Sequence, residues 1–203
     1  MLLILDGLIA ALSAGIFLLP LLLLFERGFC KPVSWRHVGL ILLLALYLNE
    51  LLTLVGVPTI RFAVFDPTVN WIPFLDGAHD LPAYLRNFGL NILLFVPLGV
   101  FLPLLWPRFR VWTWTALAGL GLSGAVECLQ LFTFRLTDTD DLLANTLGAI
   151  IGALLVRPLF RRQMIGPHRP RPSWELPGIL LLVFAVKMLA APVLADLLWQ
   201  AAF

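Results

Sequence analysis

The chain has 203 residues, of which 61% are hydrophobic and only 13% are charged. A soluble domain of this length has too little interior to bury so much apolar surface, so the composition excludes a soluble protein and indicates an integral membrane protein. The net charge of +2 is too small to suggest a nucleic-acid partner.

Apolar segments along the chain come close to the length of about 20 residues that a spanning helix needs. They cover residues 2–25, 38–57, 90–105, 111–134, 142–156 and 179–195. The first carries Asp6 and has no basic region before it, which favours a retained helix over a secretory signal. We therefore predict an all-α integral membrane protein, a polytopic bundle of about six transmembrane helices in a single helical membrane domain over residues 1–203.

The basic residues predict the orientation of these helices. Most lysines and arginines follow the first, third and fifth segments, whereas the opposite loops hold only Arg61, Arg86 and Arg135. Basic loops face the cytoplasm in an inner (plasma) membrane protein. Both ends of the sequence, residues 58–89 and the turn around Arg135 are then predicted to be extracytoplasmic.

Residues 58–89 contain four prolines, which argue against a spanning helix in this segment. Residues 70–74 within it are apolar and aromatic, as in loops that lie in the membrane interface or re-enter the membrane. We predict an extracytoplasmic interfacial or re-entrant loop that could act as a lid.

Polar residues interrupt the apolar sequence most densely between residues 127 and 145. They are Glu127, Gln130, Arg135, Asp138, Asp140, Asp141 and Asn145. Glu127 and Gln130 share one face of the predicted fourth helix, and Asp141 and Asn145 share one face of the fifth. Ionisable groups at membrane depth are costly and mark functional sites by default, so we predict a polar pocket that opens outward.

The fifth helix continues this polar face with Gly148 and Gly152. Small residues at this spacing let membrane helices approach closely. We expect the fourth and fifth helices to pack along this face.

A structural interpretation of the three aspartates is that they cap the fifth helix, which we prefer for Asp140 alone. Three carboxylates within four residues also repel one another. Either Arg135 or a divalent cation held by Asp138, Asp141 and Glu127 would relieve that repulsion. Asn91 either joins the pocket or only bonds a neighbouring helix.

Short motifs follow one another in a fixed order: Asn-Trp-Ile-Pro-Phe at 70–74, Asn-Ile-Leu-Leu-Phe-Val-Pro-Leu-Gly at 91–99, Glu127-x-x-Gln130, Arg135-x-x-Asp138-x-Asp140-Asp141, and Asn-Thr-Leu-Gly at 145–148. In order and spacing they resemble the VanZ-like membrane proteins, a family named for a teicoplanin-resistance factor. The resemblance covers residues 40–156 and leaves the spans at 2–25 and 179–195 as additions. It implies a small helical membrane domain, linked in some members to glycopeptide antibiotic tolerance, and a kinship with membrane enzymes that modify lipid headgroups.

The first functional hypothesis is an enzyme that hydrolyses or transfers the headgroup of an envelope lipid or a lipid-linked cell-wall intermediate at the outer leaflet. Glu127 would be its general acid or base, and Asp138 and Asp141 would hold a cation or orient a nucleophile. Arg135 would pair with a phosphate group. The residues expected to position the headgroup are Gln130, Asn145, Asn91 and Asn70.

Two other hypotheses use the same cluster. One is a non-enzymatic protein that binds or shields a cell-wall precursor or an antibiotic. The other is a small transporter, against which the absence of inverted repeats counts. No Walker A or GxSxG pattern occurs, so neither nucleotide nor nucleophilic-serine chemistry is expected.

Overall fold

The computed structural model describes residues 2–29, 34–58, 63–65, 69–70, 74, 80–133, 137–161, 171–190, 193–194, 196–197 and 200. The chain forms two compact units. The first comprises Met1–Ala63 and Arg171–Phe203, and the second comprises Val64–Pro170.

The described residues form six α-helices and one short pair of strands. In chain order these are α1 (Leu2–Phe29), α2 (Trp35–Leu54), β1 (Val69–Asn70), α3 (Leu81–Leu105), α4 (Trp112–Gln130), β2 (Thr137–Asp138), α5 (Thr139–Arg161) and α6 (Glu175–Ala185). A 3₁₀ turn at Pro107–Arg110 connects α3 to α4, and α6 continues as a π-helical turn at Val186–Ala190.

The first unit packs α1, α2 and α6 against one another. Its fully buried side chains are mainly aliphatic and include Leu22, Ile41 and Ile179. α2 ends at Leu54 because Gly56 adopts a φ of 71°, a conformation that glycine takes without steric cost.

In the second unit, α3 begins at Leu81, earlier than the predicted start of the third span at residue 90. The side chain of Asp80 caps the helix by accepting a hydrogen bond from the amide of Ala83 at 3.1 Å. Pro82 lies in the first turn, where its missing N–H costs no helical hydrogen bond. The prediction of a loop over residues 58–89 is therefore wrong for 81–89, because Pro82 begins a helix there instead of breaking one.

Glycines bring α3 and α5 into close contact. A Cβ atom at Gly148 would overlap the backbone of Ile92, and one at Gly152 would overlap the backbone of Val96. Small residues permit membrane helices to approach this closely. The contact fixes the start of α5 beside the first half of α3.

The prediction that Gly148 and Gly152 face α4 is wrong. α4 meets α5 through Gly119, where a Cβ atom would lie 2.7 Å from the Cβ of Ala149. α5 packs against both α3 and α4. Glycine spacing indicates a close-packing face, but it does not specify which of two neighbouring helices fills that face.

β1 and β2 pair in parallel, with Val69 opposite Thr137 and Asn70 opposite Asp138. The sequence did not predict this pair, because each strand has only two residues. Its effect is to hold the segment before α3 against the beginning of α5.

Three helices of the described residues are long and apolar enough to cross a membrane: Trp35–Leu54, Leu81–Leu105 and Thr139–Phe160. Large apolar side chains on them are exposed, including Leu43, Leu93 and Leu155, as expected for surfaces that contact lipid. The helical fold is confirmed and these helices indicate a membrane protein. The count of about six spans and the single-domain organisation stay predictions.

Candidate functional site

The first contact of the site joins α3 to α5. Asn91 Nδ2 donates a hydrogen bond to Asp141 Oδ1. Asp141 lies in the first turn of α5, and Asn91 lies on the stretch of α3 that precedes the glycine contact. The structure therefore brings together two of the predicted site residues that are 50 positions apart in the sequence.

The second contact of the site joins α4 to Asp138, just before α5. Glu127 is 5% exposed, and its Oε2 accepts a hydrogen bond from the amide of Asp138 at 3.1 Å. The Glu127 carboxylate also lies close enough to Asp141 and Asp138 to interact with the charge of each. Three predicted acidic residues from α4, β2 and α5 thus surround one region of the second unit.

Amide side chains lie deeper in the α4–α5 contact. Asn145 Nδ2 donates to Ser123 Oγ at 2.9 Å, and both residues are buried. The Oδ1 atom of Asn145 is also buried and has no hydrogen-bond partner among the described residues. Gln130 is buried at the end of α4. These positions agree with the expectation that the polar faces of α4 and α5 meet.

Asp138 and Asp140, at the start of α5, accept hydrogen bonds from different parts of the chain. Asp138 Oδ1 accepts a hydrogen bond from the amide of Asp140 at 2.9 Å, so Asp138 provides the cap. Asp140 is 3% exposed, and its Oδ2 accepts a hydrogen bond from the amide of Phe74 at 2.9 Å. Asp140 lies in the first turn of α5, as predicted, but its carboxylate accepts its hydrogen bond from Phe74 and not from an amide of the helix, so it does not act as the N-cap. A capping residue must precede the turn whose amides it accepts, and Asp140 already lies within the helix.

Residues 70–74, which we call the aromatic segment, contact the aspartates at the start of α5 through Asn70 and Phe74. Asn70 pairs with Asp138 in the strand ladder, and its carbonyl accepts a hydrogen bond from Thr139 Oγ1 at 3.4 Å. Phe74 has a φ of 64°, a strained conformation for a residue with a side chain. Its hydrogen bond to Asp140 helps to hold that conformation.

Some predicted positions lie outside the described residues. They are Trp71, Ile72, Pro73 and Arg135. The role of residues 70–74 as a lid and the role of Arg135 as a phosphate partner stay predictions.

A cavity of about 540 Å³ opens beside these residues, within the size range of small-molecule sites. We call it the site cavity. Its polar wall includes Asn87, Asn91, Asp138, Asp140 and Asp141. Glu127, Gln130 and Asn145 are not on this wall, so they lie behind the residues that a ligand would meet first.

The predicted metal ligands Glu127, Asp138 and Asp141 do not form a compact ligand set. Within the described residues, the group of three acidic or histidine side chains with all ligand atoms within 4.8 Å of one another is Glu26, His37 and Glu175. A cation in the site cavity would therefore have to draw the three predicted carboxylates together.

The Glu26, His37 and Glu175 group belongs to a buried ion network in the first unit. His37 Nε2 lies 3.0 Å from Glu175 Oε1, and Arg171 Nη1 lies 3.3 Å from Glu26 Oε2 and 3.7 Å from Glu175 Oε1. Both glutamates are fully buried. Because the guanidinium of Arg171 already contacts both carboxylates, this group is better matched to an ion-pair network than to a metal centre.

Sequence reasoning missed this network. His37 and Glu175 are 138 positions apart, and Glu26 and Arg171 are 145 positions apart. The sequence shows Glu26 near the end of the first apolar helix and Glu175 at the start of the last one. It does not show that these two residues are neighbours.

A family model described as VanZ/LLP1 matches residues 40–161 of the chain. The match includes every residue of the site cavity and ends close to the predicted limit of the resemblance at residue 156. No curated protein and no solved structure matches the chain.

Proposed function

The chain belongs to the VanZ/LLP1 family, and we propose that it is a membrane enzyme that hydrolyses or transfers the headgroup of a phosphate-linked envelope lipid or lipid-linked cell-wall intermediate. The observation that carries this proposal is the convergence of Glu127, Asp138 and Asp141 beside a cavity of about 540 Å³. Three clustered carboxylates are expensive to retain in an apolar protein unless they do chemistry or bind a cation.

The site would act from the outer leaflet of the plasma membrane, in a chain of six spans. The distribution of charge within the second unit supports this orientation. Arg86 is the one described arginine near the start of α3, whereas Arg108 and Arg110 lie in the turn after α3 and Arg157 lies near the end of α5. The positive-inside rule favours a cytoplasmic position for the end with more arginines, which supports a site cavity on the outer side.

The chemistry that we propose is a displacement at phosphorus. The oxygen of water, or of an acceptor hydroxyl, forms a bond to phosphorus while the bond from phosphorus to the leaving oxygen breaks. An ionised carboxylate takes the proton of the attacking oxygen, and a protonated carboxyl group returns a proton to the leaving oxygen. A cluster of carboxylates suits both roles, because neighbouring like charges disfavour the ionisation of all of them together.

The position of each residue suggests its part in this reaction. Asp138 and Asp141 line the site cavity and would meet the substrate. Glu127, which is buried behind them, would exchange protons with the cluster as general acid or base. Asn91 would hold Asp141 in place, and Arg135 would pair with the phosphate.

The test measures headgroup release from envelope lipids by purified protein, with mass spectrometry of the products. Glu127→Gln should lower the rate by about a hundredfold to ten-thousandfold, since a general acid or base contributes that much. Asp141→Asn should also lower the rate, because it removes a carboxylate that would meet the substrate. Glu50→Gln in α2 is the matched control, because it removes a carboxylate from the other unit and should leave the rate unchanged. Full activity in both site variants would refute the catalytic assignment.

A second function, binding without turnover, is favoured by the amides on the cavity wall. Asn87 and Asn91 can hydrogen-bond a polar headgroup, antibiotic or cell-wall precursor without any proton transfer. A binder should retain its lipid through purification in both wild-type protein and Glu127→Gln, and should release no product in either. Product release by wild-type protein alone distinguishes the enzyme.

A further inference from the structure

The end of the second unit that lies opposite the site cavity carries a cluster of exposed arginines. They are Arg108 and Arg110 in the turn after α3, and Arg157 near the end of α5. We call these three residues the arginine rim. Residues 105–115 and 154–161 contain no aspartate or glutamate, so no acidic neighbour in those segments neutralises the rim.

Aromatic rings hold two of the guanidinium groups in place. Arg108 Cζ lies 3.8 Å from the centre of the Trp114 ring, and Arg110 Cζ lies 4.6 Å from the centre of the Phe160 ring. Phe160 lies three residues after Arg157 on α5, so the second of these contacts brings Arg110 to the helix face that carries Arg157. A guanidinium group stacked on a ring keeps its N–H edge free to donate two parallel hydrogen bonds.

The turn that carries these arginines is itself fixed. Thr115 Oγ1 donates a hydrogen bond to the carbonyl of Phe109 at 2.8 Å. The Phe109 ring packs edge-on against the largely buried Trp106, with ring centres 6.1 Å apart. A fixed turn keeps Arg108 and Arg110 in one arrangement, so little side-chain entropy is lost when an anion binds.

The surface around the rim suits a lipid more than a soluble anion. Trp112 is 48% exposed and Trp114 is 40% exposed, and exposed tryptophans are typical of the membrane interface. Beyond them, Leu117, three residues after Trp114, and Leu154, three residues before Arg157, are 57% and 45% exposed. Apolar side chains at these positions can contact acyl chains while the arginines contact a headgroup.

We propose that the arginine rim is a binding site for an anionic phospholipid of the cytoplasmic leaflet. Arg108 and Arg110 donate hydrogen bonds to the phosphate oxygens, and Arg157 adds a third positive charge. A lipid with net negative charge is preferred over a zwitterionic one, because the rim has no acidic side chain to pair with a headgroup ammonium. α3 has 25 residues and spans about 37 Å, so this lipid would lie in the leaflet opposite to the site cavity.

Native mass spectrometry of the full chain, with phosphatidylglycerol and phosphatidylcholine added in equal amounts, tests this site. We expect wild-type protein to bind more phosphatidylglycerol than phosphatidylcholine. In Arg108→Ala/Arg110→Ala this binding ratio should fall by about fivefold for each arginine removed. Arg86→Ala removes an exposed arginine from the other end of α3 and should change nothing. An equal loss in Arg86→Ala, or no loss in the double variant, overturns the proposal.

Two further measurements distinguish a specific lipid site from nonspecific electrostatic attraction. Arg108→Lys/Arg110→Lys keeps the charge but loses the stacked, two-pronged donors, so it should lose a measurable part of the preference. Full retention in the lysine variant overturns the assigned geometry. An excess of inorganic phosphate should leave the lipid bound, and its release by free phosphate overturns the lipid assignment. If the alanine pair does not yield folded protein, Arg108→Gln/Arg110→Gln is measured in its place.

Discussion

Glu127 shows how one hydrogen bond makes an acidic residue tolerable in an apolar helix. Its carboxylate is almost fully buried, and a charge in such a position needs compensation. The amide of Asp138 supplies part of it. The same bond ties the end of α4 to the start of α5, so the residue is both an anchor of the turn and a member of the acidic cluster.

Asp140 anchors the aromatic segment, because its carboxylate accepts the hydrogen bond of the Phe74 amide. We expect Asp140→Ala to leave the amide of Phe74 without its acceptor and to destabilise that segment by about 1–3 kcal/mol. Hydrogen–deuterium exchange of the peptide that contains Phe74 should then become faster. Asp140→Asn keeps an oxygen acceptor and should have a smaller effect. Unchanged exchange in Asp140→Ala would contradict the anchoring role.

The buried ion network gives a second prediction at this scale. Arg171→Gln removes the guanidinium that contacts the fully buried Glu26 and Glu175. Breaking a buried ion pair in this way costs about 3–5 kcal/mol, so the purified variant should unfold at a clearly lower temperature. Arg27→Gln alters an exposed arginine of the same unit and should unfold at the wild-type temperature. A similar shift in both variants would contradict the prediction.

At the scale of elements, the geometry of the site depends on how closely α3 and α5 approach. The contact at Gly148 and Gly152 lies next to the hydrogen bond between Asn91 and Asp141. Any side chain at either glycine must push the two backbones apart. The site cavity therefore depends on glycines that never touch a ligand.

Gly152→Ala tests this dependence. The added Cβ would overlap the backbone of Val96, and overpacking of this kind costs about 1–3 kcal/mol. Gly121→Ala on α4 is the matched control, because nothing lies within 4 Å of its added Cβ. Replacing glycine by alanine in an open helix position should stabilise α4 slightly. The unfolding temperature should thus fall in Gly152→Ala and rise slightly in Gly121→Ala. A shift of both variants in the same direction would refute the assigned packing.

The helices could be predicted from the sequence because apolar length acts locally, and the spacing of polar residues predicted that Glu127, Asp138 and Asp141 would meet. The partners of individual groups could not be predicted. Asp140 bonds an amide 66 positions away, and the glycines of α5 face α3 instead of α4. Such choices depend on which helices become neighbours. Pro82 was misread for a local reason, since a proline can begin a helix as well as end one.

At the scale of the second unit, the acidic residues of the site and most of the arginines lie at opposite ends of the helices, with Arg86 the exception among the described residues. The acidic residues of the site lie where α3 and α5 begin, and the arginine rim lies at the other end of α3. A helix of 25 residues is about 37 Å long, which exceeds the hydrocarbon thickness of a bilayer. The two ends can therefore lie at opposite membrane surfaces, with the charge bias that the positive-inside rule requires.

Single-cysteine labelling of right-side-out membrane vesicles tests this orientation. In a Cys30→Ser/Cys128→Ser background, Arg86→Cys places a thiol near the acidic end of α3, and Val111→Cys places one beside the rim. Both positions are exposed. A membrane-impermeant maleimide should label Arg86→Cys in sealed vesicles but label Val111→Cys only after the membrane is opened, because a charged reagent does not cross the bilayer. The reverse pattern would place the site cavity in the cytoplasm and would exclude a reaction at the outer leaflet.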